Sequence, residues 1–375
     1  MGEARSYDIA IIGGGLVGAA LAFGMRTHGL RIAMLDEGDV ALRAARGNFG
    51  LIWVQGKGEG LAAYGNLTQR SAREWPALAA SLAAESGIDV ALAQPGGLHV
   101  CLSRMELASR ERMFAGLFAQ PGFERYEVEF LDRAAIAARL PLIGPEVVGG
   151  SWSPLDGHCN PLRLLNALQA GAIRRGVDYL PGHRVTAIEP RAGGFALTTA
   201  RGVVNAERIV LAAGLGNAEL ASSAGLKAPV VPNKGQVIVL ERVAPFLSFP
   251  LENIRQTDEG AVLLGDSQQD RGRDETLGLD VLGAIAARAT AIFPALREIR
   301  VNRAWAALRV MTPDGRPIYA QSRSAPGAFL VTGHSAVTLA ALHARVLAPA
   351  IAGGGLPSEL APFGLDRFEH VRAAA

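Results

Sequence analysis

A glycine-rich turn near the start of the chain restricts the possible folds more than any other feature. It contains three glycines in the pattern Gly-x-Gly-x-x-Gly, at Gly13, Gly15 and Gly18. An apolar strand, Ile9 to Ile12, precedes the turn. A helix from Leu16 to His28, a second strand from Arg31 to Leu35 and the acid Asp36 follow it. Each element stands where a βαβ unit needs it, so the pattern predicts a dinucleotide-binding fold.

The three glycines and the acid have different expected tasks. Gly13 permits the tight turn, Gly15 lets the backbone approach a pyrophosphate, and Gly18 lets the helix pack on the strand. Asp36 follows at about the 20-residue spacing expected of a carboxylate that binds an adenosine ribose. The pattern does not separate FAD from NAD, and a glycine-rich turn without any ligand is the structural alternative.

Composition and charge exclude several classes of protein. The chain has 375 residues, 49% of them hydrophobic, and its net charge of +2 gives no basic field for nucleic acid. Cys101 and Cys159 cannot build a disulfide framework, which favours the cytoplasm. No histidine spacing indicates a metal site. A first strand from about Tyr7 leaves no room for a signal peptide, and the apolar stretch is broken by glycines, so we expect no transmembrane segment. Peripheral contact with the inner membrane stays open.

Several local signals predict where helices begin and end. Asp132 and Asn160 are expected helix caps, the latter followed by Pro161 at the first helical position. Trp75-Pro76 marks a break or a new start within the helical pattern from Leu61 to Glu85. The last helix is expected from Ala336 to about Ile351.

Nucleotide-fold segments recur at the start, middle and end of the chain, so we predict two interleaved domains. The fold class is α/β, with a Rossmann-like FAD-binding domain around a central parallel sheet and an α+β substrate domain with a mixed sheet. The expected FAD-binding domain is discontinuous and covers residues 1–88, 150–226 and 305–375. The expected substrate domain covers residues 89–149 and 227–304.

Beyond the glycine turn, later segments carry a more specific signal. A Thr-Pro-Asp-Gly-x-Pro run stands at Thr312 to Pro317, and Gly333-His334-Ser335 follows it just before the last helix. Together with the first βαβ unit, the small-residue loop near Arg43 to Leu51 and the strand that ends at Gly214, these segments resemble the D-amino-acid oxidase (DAO) family of FAD-dependent oxidoreductases. The resemblance covers nearly the whole chain.

Within that family, the stretch from Arg46 to Gly58 is most similar to one branch. That branch holds the catalytic β subunits of bacterial D-hydroxyproline dehydrogenases, opine oxidases and hydrogen cyanide synthase. The resemblance implies FAD, a small amino or imino acid substrate, and a hetero-oligomer with flavin and iron–sulfur subunits. Family members with covalent flavin use a cysteine late in the chain, and both cysteines here come earlier, so we expect non-covalent FAD.

The resemblance also implies which residues contact the cofactor. The expected FAD-binding residues are Gly13, Gly15, Leu16, Val17, Gly18, Asp36, Arg43, Asn48, Gly50, Leu51, Val185, Gly214, Gly333, His334, Ser335, Ala336, Val337 and Thr338. The backbone of Val185 would pair with adenine, and Gly333 to Thr338 would bring helix N–H groups to the flavin N1–C2=O edge. Ordinary sheet packing is the alternative for Val185 and Gly214, and a simple helix start is the alternative for Gly333 to Thr338.

Three residues are candidates for the substrate site. Arg309 matches the family position that binds the substrate carboxylate, a task that suits the bidentate guanidinium group. Arg255 is a second candidate for the same task. His334 is expected to contact flavin or substrate, with helix capping as an equal alternative. A surface ion pair is the alternative for Arg309, and a structural role is favoured for His158.

The predicted reaction is oxidation of a C–N bond, in which hydride leaves Cα for flavin N5 and an imine forms. D-hydroxyproline dehydrogenase is the preferred hypothesis. A stand-alone glycine, sarcosine or D-amino-acid oxidase and an opine oxidase subunit are alternatives of the same class. A non-catalytic FAD-binding scaffold and an NAD-dependent dehydrogenase are alternatives of other classes.

Overall fold

A computed structural model describes residues 5–25, 29–38 and 44–368. Its strands are β1 Arg5–Ile12, β2 Ile32–Leu35, β3 Leu51–Ile52, β4 Gly97–Cys101, β5 Glu129–Asp132, β6 Gly149–Ser153, β7 Gly157–His158, β8 Asp178–Leu180, β9 Val185–Arg191, β10 Gly194–Thr199, β11 Gly202–Leu211, β12 Val231–Arg242, β13 Ile254–Gln256, β14 Ala261–Leu264, β15 Val301–Met311, β16 Ile318–Gln321 and β17 Ala328–Thr332. Its helices are α1 Leu16–Gly24, α2 Ala62–Ser86, α3 Arg104–Ala119, α4 Arg133–Arg139, α5 Pro161–Arg174, α6 Asn217–Leu220, α7 Leu279–Ile292, α8 Ala340–Leu342 and α9 Ala348–Ala352. A π-helical segment, His343–Leu347, joins the last two helices, and the 3-10 turns are Gly214–Gly216, Ala221–Ala224, Pro294–Glu298, Ser358–Phe363 and Leu365–Phe368.

The largest sheet positions the first glycine turn. Over the described residues it has eight strands, with the order β16-β17-β11-β1-β2-β8 and with β10 and β9 added beside β11. β1 lies parallel to both β2 and β11, and β11 lies parallel to β17. The carboxyl ends of these strands therefore meet at one edge, where open α/β sheets bind ligands. The predicted α/β class with a central parallel sheet is confirmed.

Smaller antiparallel sheets accompany the large one. One has the order β13-β14-β12-β15, another has the order β4-β6-β5, and β3 pairs with β7. Apolar cores cover both faces of the large sheet, and a separate core lies between β12–β14, β4–β6 and α7. The predicted domain boundaries stay a prediction. Among the described residues, no helix combines the length and apolarity needed to cross a membrane.

Both predicted caps are confirmed. The Asp132 side chain accepts a hydrogen bond from the Ala135 N–H, and α4 begins at Arg133, directly after Asp132. The Asn160 side chain accepts from the Leu162 and Arg163 N–H groups, each at 3.1 Å. These side chains satisfy N–H groups that have no partner within the helix.

The predicted break at Trp75-Pro76 is wrong, because α2 continues through Pro76. Proline has no N–H and therefore leaves the Ala72 carbonyl without its helical donor. The Gln94 Nε2 group donates to that carbonyl at 3.0 Å. Trp75 is fully buried, and its packing holds the helix in place on both sides of the proline.

The last helix starts later than predicted, at Ala340 instead of Ala336, after a turn. Ser71 inserts where the first helical hydrogen bond would form. Its hydroxyl donates to the Thr338 carbonyl at 2.6 Å and accepts from the Leu342 N–H at 3.2 Å. Trp75 Nε1 also donates to the Thr338 carbonyl. Side chains of α2 thus form hydrogen bonds with the backbone groups that would otherwise extend the last helix toward Ala336.

Candidate active site

The glycine turn after β1 has the geometry of a dinucleotide site. A Cβ added to Gly13 would lie 2.6 Å from the Ala212 carbonyl oxygen, and a Cβ added to Gly18 would lie 1.8 Å from the Gly13 carbonyl oxygen. The packing of the protein itself therefore requires glycine at both positions. Gly15 differs, since among the described residues an added Cβ would meet only the Ala45 Cβ at 3.8 Å. This part of the structure leaves space in front of Gly15, and that space suits a closely approaching ligand.

Asp36 lies directly after β2 and is tied to the same turn. Its Oδ2 accepts from the Gly14 N–H at 2.7 Å, and its Oδ1 accepts from the Gly38 N–H at 2.8 Å. Gln169 Nε2 donates to the Gly14 carbonyl at 2.8 Å. The carboxylate is therefore fixed beside the turn, and its contact with a ribose stays a prediction.

A second loop runs past the glycine turn. The Asn48 side chain accepts from the Gly50 N–H at 2.7 Å, and Leu51 then begins β3. Gly50 has a φ of +92°, and an added Cβ would lie 2.5 Å from the Cys159 carbonyl oxygen. Arg43, which we expect along the phosphates, lies outside the described residues.

Two buried polar side chains lie near the carboxyl ends of β11 and β17, at Asn217 and Thr332. Asn217 Nδ2 and Thr332 Oγ1 are buried and have no hydrogen-bond partner within the described part of the chain. Gly214, which follows β11, has a φ of +57° and starts a 3-10 turn. Val185 begins β9 and pairs with Thr199. These unpaired atoms fit a polar cofactor at the sheet edge.

The segment from Gly333 to Thr338 forms a turn that offers backbone donors. The N–H groups of Ala336, Val337 and Thr338 have no acceptor among the described residues. The first bond of the segment runs from the Leu339 N–H to the Ser335 carbonyl at 3.0 Å. The expected N–H groups are thus available, although they belong to a turn and not to a helix.

Arg309 stands on β15, at the position opposite Asn233 of β12. Its Nη1 donates to the Ser267 carbonyl at 2.7 Å and to the Asn233 side chain at 3.2 Å, while its Nη2 forms an ion pair with Asp266. The Arg309 Nε–H has no acceptor among the described residues. Gly235 makes room for the guanidinium group, since an added Cβ would lie 2.5 Å from Nη1.

His334 and Ser335 lie beside a lysine that no sequence motif indicated. Lys57 Nζ donates to the Ser335 hydroxyl at 3.1 Å, and the Tyr64 hydroxyl contacts the same oxygen at 3.2 Å. Burial, with the positive charges of Lys57 and Arg309, lowers the pKa of His334 to about 3. His334 is therefore neutral at physiological pH, and the charges of both Lys57 and Arg309 act on it.

Two carboxylates next to these cations keep partly accessible side chains. The side chains of Asp266 and Glu252 are 46% and 43% exposed. Burial nevertheless raises the pKa of Asp266, against the effect of Arg309, and Glu252 raises it further. This combination of exposure and burial indicates a concave site, and we call the charged groups Lys57, Glu252, Asp266 and Arg309, which act on one another electrostatically, the cavity charges.

Glu252 is ionised within this cavity. Burial alone would raise the pKa of Glu252, but the hydrogen bond and charge of His99, together with Arg110 and Lys57, lower it to about 2. Glu252 interacts electrostatically with Lys57, which contacts Ser335, and with Asp266, which pairs with Arg309.

Arg255 does not share this cavity. It is 3% exposed, and it lies below the loop at Phe49 and Gly50, where its Nη1 is 3.3 Å from the His158 Nδ1. Its Nε is buried without an acceptor in the described part of the protein, in the same way as Asn217 Nδ2 and Thr332 Oγ1. The contact of Arg255 with a substrate carboxylate stays a prediction.

Sequence reasoning missed three of the cavity charges. Lys57 lies inside the stretch from Arg46 to Gly58 that carried the resemblance, but no local rule connects it with Ser335. Asp266 lies two residues after β14, an antiparallel strand, and no motif indicated it. Glu252 has no comparable signal. Within the described ranges, no group of three or more potential ligands could hold a metal ion.

Residues 8–350 match the protein family described as FAD dependent oxidoreductase, DAO. The chain is 43% identical over 366 residues to an opine oxidase subunit of Agrobacterium tumefaciens (strain Ach5), a match that covers 98% of this chain and 99% of that protein. It is 29% identical to the hydrogen cyanide synthase subunit HcnC of Pseudomonas aeruginosa, with 99% and 98% covered. Both similarities bear out the expected branch.

A solved structure shows the same fold. The crystal structure of glycine oxidase from Geobacillus kaustophilus superposes with a TM-score of 0.88 at 24% identity, and the match covers 96% of this chain and 99% of that one. The glycine turn, the cavity charges and the order of strands thus occur on a fold shared with a structurally characterised oxidase.

Proposed function

Because the chain belongs to the DAO family of FAD-dependent oxidoreductases and is an enzyme that oxidises amino acids or amines, we propose that its substrate is a secondary amino acid. Opines and D-hydroxyproline both fall in this class. The observation that carries the proposal is Arg309, a cation whose Nε–H has no acceptor among the described residues and whose charge acts on His334 in the turn from Gly333 to Thr338. This arrangement suits a carboxylate held next to a flavin.

The residues present fit FAD. The glycine turn and Asp36 would hold its adenosine diphosphate part, and the turn from Gly333 to Thr338 would donate to the flavin ring. When bound, FAD supplies an acceptor for the hydride that leaves the substrate Cα. The protein contributes position, since Arg309 holds the substrate carboxylate and directs Cα, an effect that can lower the barrier by several kcal/mol.

Two substrates compete within the proposed class. The 43% identity to a component of an opine oxidase along the full chain supports an opine. D-hydroxyproline, the preferred hypothesis from the sequence, rests on the resemblance of the segment from Arg46 to Gly58 to that branch of the family. Both substrates present a carboxylate one bond from the reacting carbon, and both would use Arg309 in the same way.

We also propose that the chain is the catalytic subunit of a hetero-oligomer, and that electrons leave through partner subunits with flavin or iron–sulfur centres. The relatives named as subunits of opine oxidase and of hydrogen cyanide synthase support this. The purified chain should reduce an artificial acceptor such as dichlorophenolindophenol in the presence of substrate, and should consume oxygen much more slowly. Full-rate oxygen consumption with peroxide formation by the chain alone would favour the stand-alone oxidase.

Substitution of Arg309 tests the proposed function. Arg309→Met removes the carboxylate partner and should weaken substrate binding in the transition state by roughly 2–5 kcal/mol, measured as kcat/KM. Arg309→Lys should recover part of this loss, because lysine keeps the charge but not the bidentate geometry. FAD content and melting temperature serve as controls for folding. A non-catalytic scaffold would show no dependence on Arg309.

A further inference from the structure

Arg309 is already paired before any substrate arrives. Asp266 forms an ion pair with Nη2, and the neighbouring Ser267 carbonyl accepts from Nη1 at 2.7 Å. Ser267 is itself fixed, because its hydroxyl accepts from the Gln236 N–H at 2.9 Å. Asp266 is thus held beside the proposed carboxylate site by contacts on both sides, and 46% of its side chain faces the cavity.

Arg309 and Asp266 balance each other before ligand binding, while Glu252 already has the cations His99, Arg110 and Lys57 beside it. An anion bound to Arg309 would place a second negative charge beside Asp266, which is costly in a poorly solvated site. A zwitterion would add no net charge, with its carboxylate at the free Nε edge of Arg309 and its ammonium group at Asp266.

We propose that Asp266 binds the ammonium group of the substrate and accepts its proton, so that the site selects zwitterionic amino acids over simple carboxylates. This inference rests on the proposed function. In the proton transfer, one N–H bond of the substrate breaks and an O–H bond forms on Asp266. The products are a neutral amine, whose lone pair can then form the C=N bond, and a carboxylic acid.

The surroundings of Asp266 suit this exchange. The charged groups that interact with it are Arg309 and Glu252, and these have opposite effects on its proton affinity. Burial raises the pKa of the Asp266 carboxyl above the usual value, which brings it nearer to the range where a carboxylate accepts a proton from an ammonium group. Gly265, which precedes Asp266, packs against the Phe49 ring, since a Cβ added to Gly265 would lie 3.3 Å from a carbon of that ring.

A pair of unreactive ligands tests the proposal on the FAD-loaded protein. 2-Methylproline and 1-methylcyclopentanecarboxylate have nearly the same shape, and the second has CH₂ in place of the amine. Neither carries a hydrogen on Cα, so neither can lose hydride from the carbon that reacts in the proposed function, and binding is read from the flavin absorbance before any bleaching. Asp266→Asn should bind the amino acid at least about tenfold more weakly and the simple carboxylate at least about tenfold more tightly, as expected for charged hydrogen-bond partners.

Opposite shifts separate this role from a structural one, since a damaged site would weaken both ligands. Asp366→Asn is the matched control, because Asp366 forms a surface ion pair with Arg323 at 2.7 Å and its side chain is 65% exposed. It should leave both affinities within about twofold. Shifts of the same sign in Asp266→Asn, or no binding of 2-methylproline to the wild type, would overturn the proposal.

A pH profile with an oxidisable substrate gives a second readout. In Asp266→Asn, kcat/KM should rise with pH up to the amine pKa of the substrate, because only the neutral amine can react. The wild type should reach its plateau at lower pH. If no amine reduces the flavin, the proposed function fails, while the ligand pair still reports on Asp266. If amines do react and the two profiles coincide, the role of Asp266 is refuted alone.

Discussion

Gly15 offers a test of the cofactor site that separates ligand contact from protein packing. Its φ of −70° and ψ of −174° are available to alanine, and within the ranges that the structure describes an added Cβ meets only the Ala45 Cβ at 3.8 Å. Gly18 is the contrast, because an added Cβ would lie 1.8 Å from the Gly13 oxygen. The substitution Gly15→Ala should therefore damage FAD binding, whereas Gly18→Ala should damage the apoprotein.

The expected magnitudes follow from these distances. Gly15 is the N-cap of α1, so alanine should lower the free energy of unfolding of the apoprotein by at most about 1 kcal/mol. A methyl group in the space that a pyrophosphate needs should cost roughly 1–3 kcal/mol of binding, like overpacking in a core. That cost corresponds to about 5- to 150-fold weaker FAD binding.

FAD titration of the apoprotein, followed by flavin fluorescence, measures the affinity, and thermal melts with and without FAD measure the stability. Gly116→Ala is the matched control, since Gly116 lies in α3 with no atom within 4 Å of an added Cβ. It should stabilise the helix by about 1 kcal/mol and leave FAD affinity unchanged. Wild-type FAD affinity in Gly15→Ala would refute the placement of the pyrophosphate at this turn.

Three further substitutions test the site and its supports. Gly235→Ala should raise KM severalfold with FAD retained, because the new Cβ would lie 2.5 Å from Arg309 Nη1 and must displace the guanidinium group. Asn160→Ala should lower the free energy of unfolding by about 1 kcal/mol, measured as a shifted urea midpoint, because α5 loses its cap. Asp156→Asn should change the pH dependence of stability. Burial raises the pKa of Asp156 from 3.8 to about 7, so its protonated form stabilises the fold below pH 3.8 and that contribution is lost as pH rises through 7. The melting temperature of the wild type minus that of Asp156→Asn should therefore fall between about pH 4 and pH 7.

Each of these expectations has a clear contradiction. An unchanged KM in Gly235→Ala would show that Arg309 does not need its present position. An unshifted urea midpoint in Asn160→Ala would show that the Asn160 cap does not stabilise α5. A constant difference in melting temperature would show that Asp156, which accepts from Val54 N–H and Gln55 Nε2, stays in one protonation state over that range.

Local signals predicted the elements that local physics decides. The glycine turn, the caps at Asp132 and Asn160 and the parallel sheet depend on neighbours in sequence or on strand pattern. The passage of α2 through Pro76 depends on Gln94, and the late start of the last helix depends on Ser71. Such contacts come from tertiary packing, and spacing rules within one segment contain no information about them.

The site shows the same division. Arg309 was predicted because a family motif follows it closely, and Gly15 because its spacing is diagnostic. Asp266 comes from the loop after β14, and Lys57 reaches Ser335 from the other end of the chain. Their role depends on a cavity formed by several distant segments. Arg255 was predicted from its residue type alone, and its role stays a prediction, because its side chain is only 3% exposed and its Nε has no acceptor among the described residues.

The most direct test of the account is the visible spectrum of the FAD-loaded protein, recorded anaerobically before and after addition of opines, D- and L-hydroxyproline, D- and L-proline, sarcosine and glycine. The account predicts a flavin spectrum that bleaches with a secondary amino acid, and that stays unbleached with the same compound in Arg309→Met. A protein that binds no FAD after reconstitution, or a flavin that none of these compounds reduces, would contradict it.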